Sequence, residues 1–281
     1  MSELPFQGLG CMRMRPETDG DPDRDSTRVV HAAIDAGVTM VDTADMYGNE
    51  ALVGRTLRGR RDEVLLCSKF GVVWGEDGDW SVRADATYVR DACEASLRRL
   101  DVDTIDLYYL HHRSDEVPIE ETVGAMAELV TAGKIRAVGL SNVTEEDVRR
   151  AHAVHPVAAV QEMWALSHRE VEQLVPALVE LGIAVVAHSP TGHGALRDPE
   201  LPGPLRDVAG AHGVSPGQVA LAWVHHRAAE WNLRVAPLPG TTSVAHLKDN
   251  VAAAALALTA GELAHLEQVR QPPAPPLASA G

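Results

Sequence analysis

The sequence predicts a single-domain α/β fold, a (β/α)8 (TIM) barrel, on two observations. Eight short β-branched or apolar runs alternate strictly with longer segments of helical period along the 281-residue chain. The first run, Gly8-Leu-Gly-Cys-Met12, lacks the Gly-x-Gly-x-x-Gly turn by which the competing architecture, an open doubly wound sheet, announces itself.

The strands are expected at 8–11, 38–42, 64–68, 105–110, 135–140, 158–161, 184–187 and 234–238. The helix expected at 24–36 stops at Gly37, a residue that readily takes the left-handed conformation ending a helix. Those at 119–131 and 170–181 stop near Gly133 and Gly182 in the same way. The segment 144–152 opens Thr144-Glu-Glu-Asp, acids that suit a helix N-terminus. Further helices are expected at 50–57, 86–100, 205–212, 216–226, 243–253 and 260–269. Residues 1–270 read as the barrel, and 271–281, with Pro-Pro-Ala-Pro-Pro, as an extended, poorly ordered tail.

Composition narrows the function. Forty acidic against 25 basic residues leave a net charge of −15, which repels nucleic acid and anionic membrane surfaces. An anionic ligand must be held by a local cluster of donors against that field. Cys11, Cys67 and Cys93 are widely spaced and form no Cys-x-x-Cys, so neither a zinc site nor a disulfide framework is signalled. No signal peptide and no apolar run long enough to span a bilayer is recognisable, so a reducing cytoplasm is the expectation.

In a barrel, chemistry sits where strands end and the following loops begin. Reading those ends in turn gives Asp42-Thr-Ala-Asp-Met46-Tyr47, Ser68-Lys69, His111-His112, Ser141-Asn142, Gln161-Glu-Met-Trp164, His188-Ser189-Pro-Thr191-Gly192 and Gly240-Thr241-Thr242-Ser243. An acid, a phenol, an amine and an imidazole thus arrive at one rim. A phenol near pKa 10 is a poor acid at neutral pH, and a nearby ammonium is expected to lower it. A carboxylate beside the lysine keeps the amine charged and in place. A neutral imidazole can donate a hydrogen bond to a carbonyl oxygen. Taken singly, Asp42 reads as a helix cap, Tyr47 as packing, Lys69 as a surface cation and His111 as structural. Only their arrival from successive strand ends favours catalysis.

These segments resemble the aldo-keto reductases. The likeness rests on Gly8-Leu-Gly-Cys-Met12, Asp42-Thr-Ala-Asp-Met-Tyr-Gly48, Ser68-Lys-Phe-Gly71, Asp106-Leu-Tyr-Tyr-Leu-His111, the run from Gly133 to Asn142 and Pro239-Gly-Thr-Thr242, in order and with family-like spacing. The resemblance implies NADPH-dependent reduction of a small aldehyde or ketone, with NADH as the alternative cofactor. It implies Tyr47 as general acid with Asp42, Lys69 and His111 completing a tetrad. It further implies that Ser141, Asn142 and Gln161 bond the nicotinamide carboxamide and that Trp164 stacks on the ring. Ser189, Thr191 and Gly192 would follow the pyrophosphate, and Gly240, Thr241, Thr242, Ser243, His246, Asp249 and Asn250 the adenosine end. Members preferring NADPH carry Lys or Arg at places that here hold Ser243 and His246, which implies weakened selection of the 2′-phosphate. The family's N-terminal hairpin is expected to be short or absent, and the connection between Gly194 and Pro204 brief.

Met46, Trp74 and Trp80 are expected to line the substrate pocket, Met46 for its place near the rim and the two tryptophans because apolar rings on a polar loop often do. No metal site is expected, since the 13 histidines are scattered, which disfavours a metal-dependent hydrolase. The remaining alternative is a redox-sensing, nicotinamide-binding interaction module resembling potassium-channel β-subunits. Neither the carbonyl substrate nor the oligomeric state can be read from the sequence.

Overall fold

The computed structural model describes residues 4–16, 21–75, 78–192 and 201–269. Its strands, in chain order, are β1 (Gly8–Gly10), β2 (Met40–Asp42), β3 (Leu65–Phe70), β4 (Val72–Trp74), β5 (Trp80–Val82), β6 (Ile105–Leu110), β7 (Ile135–Ser141), β8 (Val157–Met163), β9 (Ala184–His188) and β10 (Val235–Leu238). All but β4 and β5 form one parallel sheet in the order β1-β2-β3-β6-β7-β8-β9-β10. A parallel bridge between Gly10 and Gly240, with the Gly10 N–H donating to the Pro239 carbonyl at 3.1 Å, brings the last strand back to the first. The eight-stranded barrel read from the sequence is thus the fold.

The helices are α1 (Ser26–Asp35), α2 (Glu50–Thr56), α3 (Ala86–Leu100), α4 (Ile119–Thr131), α5 (Glu145–Val154), α6 (Val175–Leu181), α7 (Gly203–His212), α8 (Pro216–Glu230), α9 (Val244–Ala252) and α10 (Ala260–Leu266). The Thr144 hydroxyl caps α5 in a reciprocal box with Asp147. The helix expected at 170–181 splits into a 3-10 turn, Glu170–Gln173, and α6. Pro176 explains the break: it lacks an N–H and is accommodated in a first turn, not inside a helix. The stretch after β3 is not the plain loop expected but a short antiparallel hairpin, β4 with β5, pairing Trp74 with Trp80.

Strand alternation divides the core into two layers. Met40, Cys67, Leu107, Tyr109, Ala137, Ala159, Ala184, Val186, Ala236 and Leu238 fill the barrel interior. Val41, Leu66, Tyr108, Leu110, Val138, Val160 and Val185, of opposite parity, pack outward with residues of the helices such as Val30, Val53, Val123, Met126 and Trp223. Each such side chain contributes roughly 1.5–3 kcal/mol by burial. Interior volume is tight: a Cβ at Gly139 would overlap the Tyr109 ring, so the barrel takes a large and a minimal residue side by side.

The tail 270–281 and most of the connection expected to be brief, 193–200, lie outside the described residues. No described helix is long and apolar enough to cross a membrane.

Candidate active site

A cleft of about 310 Å³ opens at the carboxyl ends of the strands and is lined by Asp42, Met46, Tyr47, His111, Ser141, Asn142, Gln161, His188, Ser189 and Thr191, with Gly10, Gly240, Leu238, Met12 and Arg13 completing its walls. Strand parity puts the chemistry there. The inward rows Met40–Asp42, Cys67–Lys69, Tyr109–His111, Gly139–Ser141, Ala159–Gln161 and Val186–His188 each step two residues from an interior packing position to a polar one at the rim.

Asp42 and Lys69 are both buried, and the Lys69 ammonium donates to Asp42 Oδ1 at 2.5 Å and to the Thr43 carbonyl at 2.8 Å. Burial alone would push this ammonium down, but Asp42, with Tyr47, raises its pKa above the ordinary lysine value, so it stays charged. Tyr47 leaves the 3-10 turn Asp45–Tyr47, and Lys69 Nζ stands 5.1 Å from its ring centre. Burial, the larger effect, leaves the phenol's pKa raised above the ordinary value, although the ammonium does pull it down as expected. The phenol therefore keeps its proton throughout the neutral range. His111 packs edge-on to Tyr47, centroids 5.8 Å apart, and burial, reinforced by Lys69, lowers its pKa to about 3. The imidazole is neutral.

A second cluster faces these groups. Gln161 Nε2 donates to Asp42 Oδ2 at 2.9 Å, which fixes the amide so that Oε1 is the end left for another partner. Asn142, in the left-handed conformation at φ 53°, donates its NH2 to the His111 carbonyl at 2.9 Å and to Ser141 Oγ at 3.1 Å. Its Oδ1 is thereby left as an acceptor and the Ser141 hydroxyl as a donor. Two acceptors and one donor on one wall match a primary carboxamide, which offers two N–H groups and one C=O. Gly10 and Gly240 contribute backbone alone to the lining, and the two strands lie so close there that a Cβ at Gly240 would meet Gly10 O at 3.3 Å.

Three expectations are corrected. Trp164 is fully buried, edge-on to Trp223 with its indole N–H donating to Glu172 at 3.3 Å, and does not reach the cleft. It is three residues past the inward Gln161, so it has outward parity. Trp74 and Trp80 are 59% and 50% exposed on the hairpin, with Trp80 against the His112 ring at 5.1 Å, and neither lines the cleft. His188, named at a strand end but given no role there, takes an inward place on the cleft wall, and period two along β9 is the signal that would have assigned it. Arg13 was also missed; no described residue forms an ion pair with it.

Of the other expected residues, Met46 lines the cleft and Gly192 closes a turn on the Ser189 carbonyl at 2.8 Å. Thr241 is buried, its hydroxyl accepting from the Ser243 N–H at 3.1 Å. Thr242, Ser243, His246, Asp249 and Asn250 continue from Gly240 into α9, beyond the cleft lining.

The sequence profile of the aldo/keto reductase family matches residues 8–271. Among solved structures, an aldo/keto reductase from Klebsiella pneumoniae in complex with NADP and acetate is 35% identical, over 97% of this chain and 93% of that one, with a TM-score of 0.81. Another from Klebsiella pneumoniae, in complex with NADPH, is 34% identical over 97% and 93%, with a TM-score of 0.82. The glycerol dehydrogenase of Gluconobacter oxydans is 25% identical over 96% and 92%, also at 0.82.

Proposed function

Because the chain belongs to the aldo/keto reductase family, oxidoreductases acting on carbonyl and alcohol groups, we propose that it reduces a small aldehyde or ketone with NADPH, Tyr47 serving as general acid. The observation carrying this reading is the buried Asp42–Lys69 pair set against the protonated Tyr47 and the neutral His111 on one cleft wall.

Two features support the cofactor assignment. Ser141, Asn142 and Gln161 present the donor and acceptors that a nicotinamide carboxamide needs, and the Gly10–Gly240 backbone admits a flat ring at close range. Arg13, the Arg or Lys among the lining residues, stands with Ser189 and Thr191 to meet the pyrophosphate. When bound, the reduced cofactor supplies a hydride for the carbonyl carbon.

The chain does the rest. His111, a neutral donor, aims the carbonyl oxygen at the Tyr47 hydroxyl. Tyr47 releases its proton to that oxygen as negative charge builds there, and Lys69, held by Asp42, stabilises the phenolate left behind. The same groups run backwards for alcohol oxidation, with phenolate as base. The cytoplasm, where reduced dinucleotide is kept, is the compartment we assign.

The test is a panel of aldehydes and ketones followed by NADPH absorbance, run beside Tyr47→Phe. We expect turnover in the wild type and a fall of about 10²–10⁴-fold in kcat for the variant. NADPH binding should be unchanged. A variant as active as the wild type would remove Tyr47 from the chemistry.

A further inference from the structure

Where the resemblance places the adenosine end, the structure holds a carboxylate that the reading above does not use. Ser243 caps α9, its Oγ accepting from the His246 N–H at 3.3 Å. The same hydroxyl donates to Asp23 Oδ2 at 2.6 Å, a contact across 220 residues of sequence. Asp23 lies in the 3-10 turn Pro22–Arg24 that leads into α1, so the entry to α1 and the entry to α9 meet here. No described Lys or Arg forms an ion pair with Asp23. Its carboxylate therefore lies beside the first turn of α9, three residues after Gly240 of the cleft lining, with no ion-pair partner among the described residues.

A barrel helix that starts after the last strand ordinarily presents free N–H groups and partial positive charge to a phosphate. Here the hydroxyl of Ser243 takes up one of those N–H groups, and a full negative charge is bonded to that hydroxyl. The chemistry at a ribose 2′ position follows from this: a carboxylate accepts a hydrogen bond from a 2′-hydroxyl and repels a dianionic 2′-phosphate. Elsewhere in protein chemistry an acid at the ribose selects the unphosphorylated dinucleotide and a nearby Arg the phosphorylated one.

We propose that Asp23 is a specificity-determining residue that suppresses selection for the 2′-phosphate, so that this chain binds NADH and NADPH within about tenfold of one another. The proposal rests on the nicotinamide-dependent reading of the cleft. It concerns only which dinucleotide is taken.

The experiment measures equilibrium dissociation constants of NAD and NADP, oxidised forms, by isothermal titration calorimetry. The fragments 5′-AMP and adenosine 2′,5′-bisphosphate are measured in parallel. Asp23→Asn keeps an acceptor for Ser243 and removes the charge; it should tighten NADP and the bisphosphate about tenfold at low salt and leave NAD within about twofold, a gain that shrinks as salt is raised. Ser243→Ala removes the hydrogen bond and keeps the charge; it should leave the NADP-to-NAD ratio near the wild-type value. If Asp23→Asn does not alter that ratio, or if both variants alter it equally, the charge of Asp23 does not set the preference and the proposal fails. The same holds if the wild type prefers NADP a thousandfold. Failure of every dinucleotide to bind would instead overturn the nicotinamide-dependent reading itself.

Discussion

The two amides at the rim each have one end committed to the protein and the other left for a partner. Gln161 gives its NH2 to Asp42, and Asn142 gives its NH2 to His111 and Ser141, so rotation of either amide would break a buried bond. His111, with its pKa lowered to about 3, remains a neutral donor far below the ordinary imidazole value of 6.5. The kcat for reduction should therefore show no inflection near that value between about pH 5 and about pH 9, and a bell centred on it would mean that the imidazole titrates in turnover. Arg13 stands where a cation in so acidic a chain earns an electrostatic role. Arg13→Ala should weaken NADPH and NADH by the same factor, about 10–100-fold in dissociation constant, since the pyrophosphate is common to both. An effect confined to one dinucleotide would place Arg13 elsewhere. Legibility at this scale followed parity. His111 rather than His112 was recognisable because it continues the inward row of β6. Trp164 misled because a large aromatic ring after a strand was read by type and not by counting from Gln161, and counting would have led to His188.

Among the elements, the barrel strands and most helices were legible because period and punctuation agreed: an apolar run of one parity, a capping residue, a glycine stop. What was not legible depended on partners distant in sequence. The β4–β5 hairpin sits in a Gly- and Asp-rich stretch whose local composition says loop, and only the pairing of Val72 with Val82 makes it sheet. The contact of Asp23 with Ser243 is long-range in the same way. Close approach of α2 to α3 is another such feature: a Cβ at Gly54 would overlap the Leu100 carbonyl, which is backbone and cannot step aside. Although alanine is the better helix former, Gly54→Ala should destabilise the protein by about 1–3 kcal/mol and lower Tm by several degrees. A stabilised variant would show that the two helices separate without loss.

For the molecule as a whole, two half-buried acids, Asp45 and Glu162, tie stability to pH. Burial, with Glu50 adding to it, raises Asp45 from 3.8 to about 7, and burial raises Glu162 from 4.5 to about 7 despite the bond it accepts from the Val143 N–H. Between the ordinary and the raised values the folded chain holds more protons than the unfolded one. This contribution to stability is complete below about pH 4 and is lost as pH rises towards about 7. Glu162→Gln keeps the acceptor for Val143 and cannot ionise. Its Tm should gain on the wild type by about 2–5 °C as pH goes from about 4.5 to about 7.5, and parallel curves would show that Glu162 ionises without cost.

The seam where Gly10 meets Gly240 joins the first strand of the barrel to the turn after its last, and it forms part of the cleft wall. A dinucleotide laid across that seam would staple the first barrel strand to the last. Saturation with cofactor should accordingly slow proteolytic cleavage beside both of these strands at once.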